Sequence, residues 1–179
     1  PEFSIDPRIE GVHPEILERQ RLPKALVTKN IFDERFEDIR NFERYLTRNG
    51  IAVFEADGVT IENMTARHYL VNGFLWSSVF GYRGSYLSAF NDGDYGLFAY
   101  DSRYGQFDHS YASGHPDAGF SIGQCFPCHA VITEVLAENN ALGYSGTNAG
   151  GDLFVVNSEW RGNLAGLVPN TLDSEQLAT

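Results

Sequence analysis

Apolar residues recur at three- and four-residue steps in one long stretch of the chain. Phe32, Phe36, Ile39, Phe42 and Leu46 fall on one face of a helix, which the spacing predicts over Asp33–Arg48. Asp33 can cap its first turn, and Asn49-Gly50 supplies a left-handed stop. Upstream, Pro7, Pro14 and Pro23 interrupt any long element, so residues 1–30 read as an irregular lead-in. Downstream, Ile51–Glu55 has the length and character of a strand, and Asp57-Gly58 makes a turn. Thr60 can cap a second helix running to about Leu70, with Met64 and His68 on one face.

From Phe74 to Phe107 the pattern shortens. Aromatic and β-branched residues come in brief runs, broken by Gly81, Gly84, Asn91-Asp92-Gly93 and Ser102–Gly105. Such runs predict antiparallel strands joined by tight turns, with Tyr95–Tyr100 the clearest strand and Asp101–Gly105 its hairpin loop. Residues 108–123 are rich in Gly, Ser, His and Asp and read as a loop. Ala130–Glu138 suits a helix, Leu153–Val156 a late strand, and residues 170–179 a mobile tail. The pattern shows no internal repeat and no linker, so the expectation is one domain over 1–179. Its class is α+β, with N-terminal helices followed by an antiparallel, aromatic-rich sheet.

Composition narrows the functions open to such a chain. The formal net charge is -11. Nucleic acid binding and docking on an anionic membrane both call for basic surface, and the balance runs the other way. A partner protein with a basic surface fits better. No apolar run reaches the ~20 residues of a transmembrane helix.

Two cysteines occur, three positions apart. Cys125-Phe126-Pro127-Cys128-His129 is a C-x-x-C-H motif, the attachment signature of c-type haem. The spacing suits that chemistry: two thiols reach the vinyl groups of one porphyrin edge, and the next residue turns its imidazole towards the iron. Cys125, Cys128 and His129 are therefore the candidate haem c ligands, with His129 proximal. Other readings of the pair are a redox dithiol, part of a zinc site, or a pair that only packs.

A haem iron has a second axial position. Met64, His109 and His115 are the candidates for it. If one of them fills it, the protein is an electron carrier; if it stays open, a small molecule can bind there. His13 and His68 are the remaining histidines. Covalent haem attachment would place the protein in the periplasm or outside the cell.

Tyr95-Gly96-Leu97-Phe98-Ala99-Tyr100-Asp101, then Gly105, then Cys125 to Ala130, is similar to the strand–turn–attachment order of the cytochrome P460 and cytochrome c′-beta group. The resemblance implies a sheet leading into a late haem motif, with electron transfer or gas binding at the iron. The lysine that cross-links haem in that group has no counterpart near the motif, because Lys24 and Lys29 are the only lysines. Ile31–Gly50 is similar to a helix of the polyphosphate kinase 2 family. Those enzymes need a Gly-Lys pair to hold phosphate, and none occurs here.

Overall fold

The computed structural model of the chain describes residues 48–172. The lead-in 1–30, His13, the helix expected at Asp33–Arg48 (Arg48 apart) and the tail beyond Leu172 lie outside them. The described residues form sixteen strands and no helix. Each coil of chain contributes one strand to each of three parallel sheets, which makes a three-sided β-solenoid of about five turns.

The first coil is β1 (Asn49–Phe54), β2 (Asp57–Glu62) and β3 (Thr65–Arg67). The second is β4 (Asn72–Ser77), β5 (Phe80–Ser85) and β6 (Ser88–Phe90). The third is β7 (Leu97–Tyr100), β8 (Arg103–Asp108) and β9 (Tyr111–Ser113). The fourth is β10 (Ala118–Gly123), β11 (Ala130–Thr133) and β12 (Leu136–Glu138). The fifth is β13 (Leu142–Thr147), β14 (Leu153–Val156) and β15 (Glu159–Arg161), and β16 (Ala165–Asn170) opens a sixth.

The register reveals a period. Ile51, Phe74, Leu97, Phe120, Tyr144 and Leu167 stack in one column, 23 or 24 residues apart. Each is preceded by a glycine, Gly50, Gly73, Gly96, Gly119, Gly143 and Gly166. The repeat is a glycine followed by a large apolar side chain, a spacing that the alternation within each short run conceals.

The expected α+β fold is therefore corrected on three counts. Every strand pair in the described residues is parallel, and partners lie a whole coil apart rather than across a tight turn. A parallel pair needs a long connection, and here the other two sides of the coil supply it. The Asn91-Asp92-Gly93 and Asp101-Ser102 turn signals are real, but they mark corners rather than hairpins. Residues 60–70 and 130–138 are strand–corner–strand, not helix, and 108–123 contains all of β9 and β10.

The core is the solenoid interior. Phe74, Leu97 and Phe120 point inward from the six-stranded sheet, as do Trp76, Ala99 and Ile122 two residues later. The third, short side presents Ala66, Ala89, Ala112 and Ala137 in a column. Small side chains there leave room for the large rings opposite. Trp76 meets Tyr82 and Phe107 at ring-centroid distances of 6.0 and 5.3 Å, within the range of favourable aromatic contact.

Candidate functional site

The cysteine motif sits at the first corner of the fourth coil, and the solenoid explains its spacing. In the third coil, β7 and β8 are separated by Asp101 and Ser102 alone; in the fourth, β10 and β11 are separated by Gln124–His129. The register aligns His129 with Tyr104, since Ala130 pairs with Gly105. Asp101 and Gln124 both have positive φ at the start of the corner. Phe126 and Pro127 are therefore a two-residue insertion, flanked by Cys125 and Cys128.

Those cysteines form a disulfide, with Cα atoms 4.8 Å apart. Both are fully buried. The Gly150 amide donates to Cys128 Sγ at 3.3 Å. The Cys128 amide donates to the Gly150 carbonyl at 2.7 Å, so the next coil holds the turn from below. Phe126 projects from the tip and is 62% exposed.

His129 is at the surface beside this turn. Its ring stacks on Tyr104 with centroids 4.6 Å apart, and Tyr104 meets Phe80 at 4.5 Å, which makes a column of three rings along the axis. His129 Nδ1 lies 3.0 Å from the Asp152 carboxylate in the next coil.

None of the expected sixth ligands is brought to the cysteine turn. Met64 is an exposed residue at the second corner of the first coil. His109 is at the second corner of the third coil, stacked on Tyr86 at 4.7 Å and paired with Asp108 at 2.9 Å and with Glu134. His115 is buried at the third corner. Among the described residues no group of three or more His, Cys, Asp or Glu side chains is placed to hold a metal ion.

Sequence reasoning missed a groove on the outer face of the six-stranded sheet, of about 260 Å³. Its shape follows from two columns of side chains that run across the strands. One column is Phe98, Ser121 and Ser145. In the other, Tyr100 pairs with Gly123 and Thr147 with Asn170. The small residues make the floor, and the aromatic residues rise at one end. Phe98 lies between Tyr95 and Tyr100, with centroids 4.5 and 5.8 Å away. Thr147 Oγ1 donates to Asn170 Oδ1 at 2.8 Å, so the floor carries ordered hydroxyl and amide groups.

Asp117 lines the same groove, and Gln124, the residue before Cys125, lines it near the disulfide turn. Asp94 lies near Asp117. Burial and the neighbouring Asp117 charge both push the Asp94 carboxyl above its ordinary value. The signal available in sequence was the alternation Phe98, Tyr100 followed one period later by Ser121 and Gly123.

No known family model matches this chain. Comparison with curated proteins finds no match, and comparison with solved structures finds none either.

Proposed function

We propose that this chain is a haem-free binding protein of an oxidising compartment, the periplasm or the cell exterior, that holds a neutral or amino-bearing polysaccharide in the groove of its six-stranded sheet. The observation that carries this reading is the Tyr95–Phe98–Tyr100 platform beside a floor of Ser121, Ser145, Thr147 and Asn170. Sugar rings offer apolar C–H faces and a rim of hydroxyls. Aromatic rings take the first, and paired hydroxyl and amide groups take the second.

The groove runs across stacked strands about 4.8 Å apart, so it suits an extended chain rather than a compact metabolite. Asp117 in the groove and the net charge of -11 disfavour acidic polymers. The disulfide supports the compartment, since such bonds persist where thiols are not kept reduced.

The test is gel retardation through soluble neutral glucan, chitosan and polygalacturonate. The expected result is retardation by one of the first two, none by the third, and its loss in Tyr100→Ala. Migration unaffected by any neutral or amino-bearing polymer overturns the reading.

The second reading is a monohaem c-type cytochrome, working in electron transfer or small-ligand binding with a basic redox partner. The C-x-x-C-H order and the partly exposed His129 imidazole favour it. The turn as arranged does not fit haem, because the sulfurs are bonded to each other and fully buried. A pyridine haemochrome spectrum of protein made with the haem-attachment machinery decides this reading. A band that stays with the denatured chain establishes haem c, and a colourless chain removes it.

A further inference from the structure

At the third corner the second to fifth coils each send one side chain inward, and these form a ladder: Asp92, His115, Asn140 and Asn163. Each has a glycine beside it. A Cβ on Gly73 would lie 2.7 Å from Asp92 Oδ2, and one on Gly96 2.9 Å from His115 Nε2. The same holds for Gly119 with Asn140 and Gly143 with Asn163, at 2.9 and 3.0 Å. The two asparagines are well satisfied. Asn140 Oδ1 accepts from the His115 amide at 2.9 Å, and Nδ2 donates to the Ala112 carbonyl at 3.2 Å. Asn163 Oδ1 accepts from the Asn140 amide at 2.9 Å, and Nδ2 donates to the Ala137 carbonyl at 2.9 Å.

Asp92 and His115 occupy the same column but break its chemistry. Asp92 Oδ1 accepts from the Tyr69 amide at 3.0 Å, as an asparagine would. Its Oδ2 is buried without a partner. The His115 ring faces the backbone of Ala89 and Asp92, yet neither ring nitrogen has a partner of ordinary hydrogen-bond geometry. Both side chains are fully buried, and Oδ2 lies 4.0 Å from His115 Nδ1. A buried carboxylate oxygen and a buried imidazole, neither with a hydrogen-bond partner of ordinary geometry, therefore face each other just beyond hydrogen-bond distance.

We propose that Asp92 and His115 share a single proton, and that this proton latches the third corner, which is tightest in a mildly acidic window and loosens on either side of it. Holding one proton, the pair is neutral and can form a hydrogen bond between Oδ2 and Nδ1. Without it, a carboxylate is buried with no cation; with a second, an imidazolium is buried with no anion.

Burial pushes the Asp92 carboxyl up to about 6, against the Tyr69 amide and the nearby His68, which lower it. Burial also depresses His115, against its backbone contacts. The titratable neighbours are His68 from the preceding coil, Asp94 on the same turn and Asp117 on the next.

The latch has an address. Asp94 and Tyr95 follow Asp92 on one turn, and Asp117 follows His115 on the next. Gly93 and Asp94 are tied to the preceding coil by their amides, which donate to the Tyr69 and Val71 carbonyls at 2.8 and 2.7 Å. Resting on the groove reading above, the latch would set how firmly the aromatic, acidic end of the groove is held.

The experiment compares wild type, Asp92→Asn and His115→Asn. Thermal midpoints and amide exchange at Gly93 and Asp94 are followed across pH, with exchange corrected for its intrinsic rate. Wild type is expected to show a maximum, with exchange at these amides rising about tenfold on the alkaline side. Asp92→Asn removes the alkaline limb, exceeding the wild-type midpoint at about pH 7.5 and matching it at about pH 4. His115→Asn removes the latch's share of the acid limb, leaving the share that Asp108 carries, and decides the matter if Asp92→Asn does not fold. Variants whose curves run parallel to wild type overturn the latch. Gel retardation by chitosan or neutral glucan forms a separate arm: no retardation at any pH sinks the groove reading while the stability arm still judges the latch.

Discussion

Tyr104 lies one coil before His129, its ring stacked on the imidazole with a 4.6 Å centroid separation, and Tyr86 stands in the same relation to His109 at 4.7 Å. Each histidine then meets an acid of the following coil, Asp152 or Glu134. All six residues have positive φ. Corners of the solenoid need a left-handed residue in each coil, and side chains there line up along the axis. The described residues use this twice, at neighbouring corners, to build Tyr–His–acid columns.

Because these columns are at the surface, they stabilise little. His129→Ala is expected to cost under about 1 kcal/mol in chemical denaturation, the range of exposed ion pairs and ring contacts. His115→Ala, which empties a buried ladder position, is expected to cost about 2 kcal/mol or more. Equal losses would contradict the placement of the two histidines.

The disulfide closes a very short loop, so its entropic contribution is small. The chain-entropy relation gives about 2 kcal/mol for a loop of this size. Cys125→Ser with Cys128→Ser is expected to lower stability by about that amount while leaving the strand content seen by circular dichroism unchanged. In wild type, alkylation should label no thiol until the chain is both denatured and reduced. Labelling of the native, unreduced protein would refute the bonded pair.

Asp108 should contribute a separate share of the acid limb of global stability. Burial would push its carboxyl up, but hydrogen bonds from Arg83, Ser85 and His109 outweigh it and hold it at about 2. Arg83 Nε donates at 2.9 Å and Gln106 Nε2 at 2.7 Å. A depressed carboxyl contributes stability above its unfolded value near 3.8, and that contribution is lost as pH falls towards about 2. Asp108→Asn is expected to cost about 2 kcal/mol at neutral pH and progressively less below about pH 4. A cost independent of pH would show that shape, not charge, matters there.

Gly105 has no room for a side chain, because a Cβ would fall 1.8 Å from Tyr82 Cζ. Gly105→Ala is expected to cost about 3 kcal/mol. Tyr82→Ala in the same chain should recover part of the loss, which a double-mutant cycle measures. Strict additivity would mean that the clash is relieved elsewhere.

The strands were partly legible in the sequence. Leu153–Val156 is a strand as its composition suggests, Tyr95–Tyr100 holds all of β7, and Ile51–Glu55 holds most of β1. Their partners were not legible locally. A run such as Leu97–Tyr100 reads the same whether its neighbour lies five residues away or 23. Only the recurrence of glycine before Phe74, Leu97, Phe120 and Tyr144 distinguishes the two cases.

The helix expected at 60–70 fails because Asn63 and His68 are corner residues with positive φ, which a three- or four-residue spacing does not reveal. Cys125, Cys128 and His129 are adjacent at one corner, as their order suggests. What their spacing means depends on Ser102 and Tyr104 one coil earlier, and that information is held in the fold. The groove was illegible because Phe98, Ser121 and Ser145 come together only through the register.

The Phe126-Pro127 insertion leaves Ala130, Val131 and Ile132 paired in step with Gly105, Gln106 and Phe107. The extra residues are absorbed outside the sheets, and the ladders on either side keep their rungs. Corners of this molecule are therefore grafting points: loops of new length and chemistry can be spliced in there one coil at a time, while the stacked interior continues unchanged.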